Sequence, residues 1–129
     1  MTITLIAASF LGLLFVYLSY NVAKNRGRAK VSVGDGGDEQ LQNAIRAHGN
    51  FAEYTPFALV LFGLLETAGA NQILVLVLAS VFVASRYAHG LTFGKFEGFN
   101  PFRYWGTVGT WLTILTASVV GVLEGYSLI

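Results

Sequence analysis

Residues 43–66 read NAIRAHGNFAEYTPFALVLFGLLE. The second half contains FALVLFGLL, an uninterrupted apolar run, and reads as a helix entering a membrane. The first half packs Arg46, His48, Asn50, Glu53 and Tyr54 into a few turns just before that run. A carboxylate and a guanidinium are costly at the edge of a bilayer, so their presence here needs a reason.

The surrounding sequence supports the membrane setting. Of 129 residues, 54% are hydrophobic and only 12% are charged, where a soluble domain carries about a quarter. Mean hydropathy is +0.60. A bilayer-crossing helix needs about 20 mostly apolar residues. Residues 1–23, 67–85 and 104–123 reach that length without an Asp, Glu, Lys or Arg, and residues 41–65 form a fourth, weaker segment. The runs are too long for strands and do not alternate. The expectation is an all-α, integral membrane four-helix bundle, with residues 1–129 as a single domain. The first segment has no basic stretch before its apolar core, so it reads as a retained helix rather than a signal peptide.

Helix 1 is expected over about residues 3–24, followed by the charged, glycine-rich loop KNRGRAKVSVGDGGDEQ. Its GDGG is a turn signal, Asp38 a candidate N-cap for helix 2, and Glu39 a favourable first-turn residue. Helix 2 runs to about Thr67, and AGANQ joins it tightly to helix 3, over about 72–90. Asn100 and Pro101 suit the cap and first turn of helix 4, which runs to about Tyr126. Lys24, Arg26, Arg28 and Lys30 follow helix 1, while Arg86, Lys95 and Arg103 surround the second loop. The positive-inside rule then places both loops in the cytoplasm and both termini outside, as a four-pass protein.

At about 100° per residue, Glu39, Gln42, Arg46, Asn50, Glu53 and Phe57 share one face of helix 2, with Tyr54 at its margin. One reading pairs Glu53 with Arg46 or Arg86 and makes the row a packing device. The other makes it a pocket for a small zwitterion, with Arg46 taking a carboxylate, Glu53 an ammonium and Asn50 an amide. Pro56 frees a carbonyl one turn earlier and can open space there. Arg86 and Tyr87 have their ordinary roles open to them: snorkelling to headgroups, and the interfacial aromatic belt shared with Tyr104 and Trp105. Arg103 lies beside the free N–H groups of helix 4, an arrangement that favours an anion such as a thiolate.

Other classes are excluded. Without cysteine there are no disulfides, thiolate metal sites or protein thiol nucleophile. His48 and His89 lack a third ligand at metal-site spacing. No phosphate loop, dinucleotide fingerprint or nucleophile elbow is present, and nothing suggests nucleic acid.

The chain resembles the MAPEG family, membrane-associated proteins in eicosanoid and glutathione metabolism. The residues that carry the resemblance are KVSVGDGG after helix 1, RAHGNFAEYTPFAL in helix 2, RYAHG closing helix 3 and NPFR opening helix 4. It covers nearly the whole chain and looks like the prokaryotic branch. It implies a homotrimer in the bacterial inner membrane, with glutathione as co-substrate bound between subunits near the cytoplasmic side. By the same resemblance Arg46, Asn50, Glu53, Tyr54, Tyr87, Arg26 and His48 are the binding residues, and Arg103 is the catalytic residue that holds the thiolate. Leu91, Gly27 and Thr107 depart from the leukotriene- and prostaglandin-forming branches. The implied function is a glutathione S-transferase acting on hydrophobic electrophiles, with reduction of lipid hydroperoxides as a second activity. The alternatives are a non-enzymatic lipid-binding or scaffold protein, and a small transporter subunit with Glu53 as an ion site.

Overall fold

Each helix begins where a side chain can take up its free N–H groups. In the computed structural model, which describes all residues 1–129, the helices are α1 (Thr2–Ala29), α2 (Glu39–Ala68), α3 (Gln72–Thr92) and α4 (Pro101–Gly125). Asp38 accepts from the Leu41 N–H at 2.8 Å, Asn71 from Ile73 and Leu74, and Asn100 from Arg103 at 3.0 Å. These are the local bonds that make Asp and Asn good caps. Asp38 also receives the Arg28 guanidinium, and the two hydrogen bonds hold its carboxyl below the usual carboxylate range. The stabilisation is present at neutral pH and is lost as pH falls below the ordinary Asp value of about 4.

α1 has no such residue of its own, because Met1 precedes it without a side-chain cap. Glu66 of α2 takes that role from across the bundle. Its carboxylate accepts from Ile3 N at 3.1 Å, Thr4 N at 2.7 Å and Thr4 Oγ1 at 2.6 Å, with the side chain only 3% exposed. A buried carboxylate saturated by donors in this way is stable where a bare one is not.

α1 continues to Ala29 rather than ending near residue 24. The extra turn is polar: Asn25 donates to the Asn21 carbonyl at 2.8 Å. Arg26 and Arg28 sit where cations suit a helix C-terminus. Lys30 then turns left-handed with φ 55°, and Gly34, Gly36 and Gly37 carry the loop through three further positive φ values. The other helix ends fall within about two residues of expectation, the ordinary uncertainty of helix boundaries.

Consecutive helices are antiparallel, so the loops 30–38 and 93–100 share one end, and the 69–71 turn lies with both termini at the other. α2 and α3 touch each other and both remaining helices, while α1 and α4 do not meet. The core between them includes Leu11, Leu14, Phe51, Phe62, Phe82 and Ala117. α3 and α4 approach closely because α4 presents Gly106, Thr110, Thr113 and Ala117 as its buried face, the small-residue packing common between membrane helices. A Cβ at Gly106 would lie 2.7 Å from the Ser85 carbonyl oxygen, and one at Gly109 would collide with the Ser85 side chain.

α1, α3 and α4 are long and apolar enough to cross a membrane. α2 has 30 residues but is not among them, because Glu53, Tyr54, Pro56 and Glu66 dilute its apolar half.

Two outcomes are expected for the bundle. Glu66→Ala leaves the Ile3 and Thr4 groups without partners in a buried setting and costs about 1–3 kcal/mol, read as a lower thermal midpoint in detergent. Gly106→Ala forces α4 off α3 and costs about 1–3 kcal/mol, whereas Gly12→Ala, whose Cβ meets nothing within 4 Å, leaves the midpoint unchanged or higher.

Candidate functional site

The core face of α2 is built from Ala44, Ala47, Phe51, Thr55, Ala58, Phe62 and Leu65. The polar row lies roughly a third of a turn around the helix from that face. Arg46 and Glu53 are therefore exposed, and Asn50 and Tyr54, nearer the core, are half-buried. Arg46 and Glu53 are about 10 Å apart along the axis, two helical turns.

Glu53 pairs with neither Arg46 nor Arg86. The ion pairs of the chain are Arg28 with Asp38 and the Met1 amino group with Glu66. The packing role considered for Glu53 is thus not realised within the chain. Arg86 does not snorkel either; it is buried, at 2% exposure. Its NH1 donates to Asn50 Oδ1 at 2.6 Å, its NH2 reaches the Gly106 carbonyl at 3.4 Å, and its guanidinium lies 5.6 Å from the centroid of the Tyr54 ring. Its Nε has no partner. A signal for this burial was present in the sequence: Val75, Leu78, Phe82, Arg86 and His89 recur at helical spacing and form the buried face of α3.

Tyr54 extends the arrangement to α4, its hydroxyl oxygen accepting from Trp111 Nε1 at 3.1 Å. That leaves the hydroxyl's own proton free to donate. Trp111 in turn lines an open crevice of about 360 Å³ with Asn100, Arg103, Tyr104 and Thr107. Arg103 is exposed at its edge, its guanidinium 4.7 Å from the centroid of Phe93, which packs on the buried His89. A continuous polar path therefore runs from Asn50 through Arg86, Tyr54 and Trp111 to the crevice that holds Arg103.

The remaining residues singled out from the sequence lie apart from this path. Tyr87 faces α1, donating to the Phe10 carbonyl at 2.7 Å and lining an apolar groove of about 580 Å³ between α1 and α3. This hydrogen bond gives Tyr87 a partner on α1. His48 stacks on Phe15 of α1, with centroids 5.2 Å apart. Arg26 folds onto its own loop, donating to the carbonyls of Gly34 at 2.7 Å and Val31 at 3.4 Å. Within one chain, then, Asn50, Tyr54 and the crevice of Arg103 are brought together, Arg46 and Glu53 flank them on the exposed side of α2, and Arg26, His48 and Tyr87 border α1.

A helical membrane bundle with a cationic and amide-bearing row near its basic loops defines the class of protein. Comparison with known proteins makes it specific: the chain belongs to the MAPEG family, whose profile matches residues 4–123. It is also similar to the inner membrane protein YecN in two strains of Escherichia coli, 37% identical over 103 residues that span 80% of this chain and 77% of theirs. No solved structure matches the chain at a significant level.

Tyr54→Phe removes the acceptor for Trp111 while keeping the ring under Arg86. The expected cost is about 1 kcal/mol, seen as a lower thermal midpoint together with altered Trp111 fluorescence in a Trp105→Phe background.

Proposed function

We propose that the protein is an integral membrane glutathione S-transferase that also reduces lipid hydroperoxides, working as a homotrimer with the α2 row at the subunit boundary. The observation that carries the reading is the pair of exposed, unpaired charges Arg46 and Glu53 on α2, beside Asn50 and Tyr54. Charges in a membrane helix face a cavity or a neighbouring helix rather than lipid. A second copy of the chain beside α2 provides that shelter and closes a pocket over the row.

Glutathione matches the row chemically, having two carboxylates, one ammonium and amide groups along a short chain. Arg46 takes a carboxylate through its planar fork. Glu53 takes the ammonium, and Asn50 and Tyr54 donate to acceptors along the chain; Arg26, His48 and Tyr87 face α1 or its loop within one chain, away from this row. Arg103, exposed at the edge of the crevice, lowers the thiol pKa and holds the thiolate. The thiolate then attacks an apolar electrophile, forming a C–S bond as the leaving group departs. With a hydroperoxide it attacks the terminal oxygen and the O–O bond breaks; the resulting sulfenic acid is reduced by a second glutathione to the disulfide and water. Acceptors of this kind partition into the bilayer, so a membrane site meets them at high concentration. The rate arises from proximity and from charge stabilisation, without a covalent enzyme intermediate.

Membership of the MAPEG family and the inner-membrane setting named for the relatives support this reading. The positive-inside rule, applied to the basic residues of the two long loops, puts those loops on the cytoplasmic side in this reading, where glutathione is abundant.

Titration calorimetry on the detergent-solubilised protein is the test. Wild type binds glutathione saturably, and Arg46→Ala and Glu53→Ala each weaken it tenfold or more with unchanged thermal midpoints. Arg103→Leu keeps binding within a few-fold but loses turnover with an electrophilic dye by about 100-fold. Absence of binding at millimolar glutathione in a folded sample contradicts the proposal.

A further inference from the structure

Arg86 is not one of the residues assigned above to the tripeptide, yet it is the most deeply buried cation of the chain. It has no carboxylate within ion-pair distance. A guanidinium has only donors, so the atom of Asn50 that faces it at 2.6 Å must be the amide oxygen. The orientation of that amide, ordinarily open to either assignment, is therefore dictated by chemistry. Asn50 Nδ2 makes no hydrogen bond within the chain and is not among its buried unpartnered atoms. It stands on the polar row between Arg46 and Glu53, free to donate.

The guanidinium has a second constraint. It lies against the Tyr54 ring while Trp111 donates to the Tyr54 hydroxyl, so the ring is held from its face and from its tip. Asn50 and Tyr54 thus present two donors in a fixed arrangement: an amide N–H and a phenol O–H.

We propose that Arg86 is the positioning residue of the pocket: by holding Asn50 Oδ1 and the Tyr54 face, it makes both side chains donors and so selects a ligand that offers acceptor oxygens, a carboxylate or peptide carbonyl, at that level. This deepens the glutathione reading and rests on it. Arg86 touches no ligand atom; it acts through Asn50 and Tyr54. Its positive charge lies directly behind those donors, where the low dielectric of the bundle strengthens attraction for an anionic ligand.

Asn50→Asp separates positioning from packing. The carboxylate keeps the contact with Arg86 and adds an opposite charge, so the protein folds with an equal or higher thermal midpoint. It replaces the outward donor with an acceptor, so glutathione binding by calorimetry weakens at least tenfold. Arg86→Met, of similar length without a donor, releases the amide and weakens binding at least tenfold, and Arg86→Lys, which retains a donor toward Asn50 Oδ1, recovers part of it. If Arg86→Met does not fold, the Asn50→Asp and Arg86→Lys measurements decide the matter alone. Wild-type affinity in Asn50→Asp, with wild type itself binding, overturns the positioning role and leaves the glutathione reading standing. Failure of wild type to bind glutathione removes that reading and this inference with it.

Discussion

The bundle is organised around a charge that it buries without a counter-charge. Removing a guanidinium from water costs several kcal/mol unless its donors are met. Arg86 meets that cost with an amide oxygen from α2, a backbone carbonyl from α4 and the face of Tyr54. These contacts tie α3 to both of its polar-side neighbours at one level. They require α4 to approach α3 closely, which is the role of Gly106, where a Cβ would meet the Ser85 carbonyl. The small residues of α4 and the buried arginine of α3 are thus two parts of one solution, and Trp111 on Tyr54 extends it by one more hydrogen bond.

At the opposite end a buried carboxylate has both hydrogen-bond donors and a counter-charge, the Met1 amino group at 3.4 Å. Glu66 is buried and satisfied by the N–H groups of Ile3 and Thr4 and by the Thr4 hydroxyl. Between them these two residues hold α1, α2, α3 and α4 in register. The polar groups left over are then conspicuous. Arg46, Glu53 and Arg103 make no ion pair and are exposed. Folding of the single chain does not use them, which is the ground on which a ligand and a neighbouring subunit are proposed there.

Much of the fold could be read locally. Asp38, Asn100 and Pro101 announce helix starts because capping acts over three residues. GDGG announces its turn because positive φ favours glycine. The end of α1 is hard to read because charged residues after an apolar run look like a loop, while Asn25 donates to the Asn21 carbonyl and Arg26 to the Gly34 carbonyl of the following loop. Arg86 and Glu66 are hard to place for a different reason: their partners lie 36 and 62 residues away. The helical spacing of Arg86 with Val75, Leu78, Phe82 and His89 marks it for the buried face of α3, but the groups that meet its guanidinium are known only from the helices it faces. The α2 row was legible as a face, because period 3.6 is a property of the helix alone. Its lack of partners within the chain emerged only from the packing.

The proposed site joins the α2 row of Arg46, Asn50, Glu53 and Tyr54 to Arg103 and takes glutathione as its thiolate. The most direct measurement is the ultraviolet difference spectrum of wild-type protein mixed with glutathione at neutral pH, where free thiol is mostly protonated. Thiolate absorbance is expected to grow, to saturate with site occupancy and to disappear in Arg103→Leu although the tripeptide still binds. Saturable binding of glutathione with no thiolate absorbance would contradict the proposal.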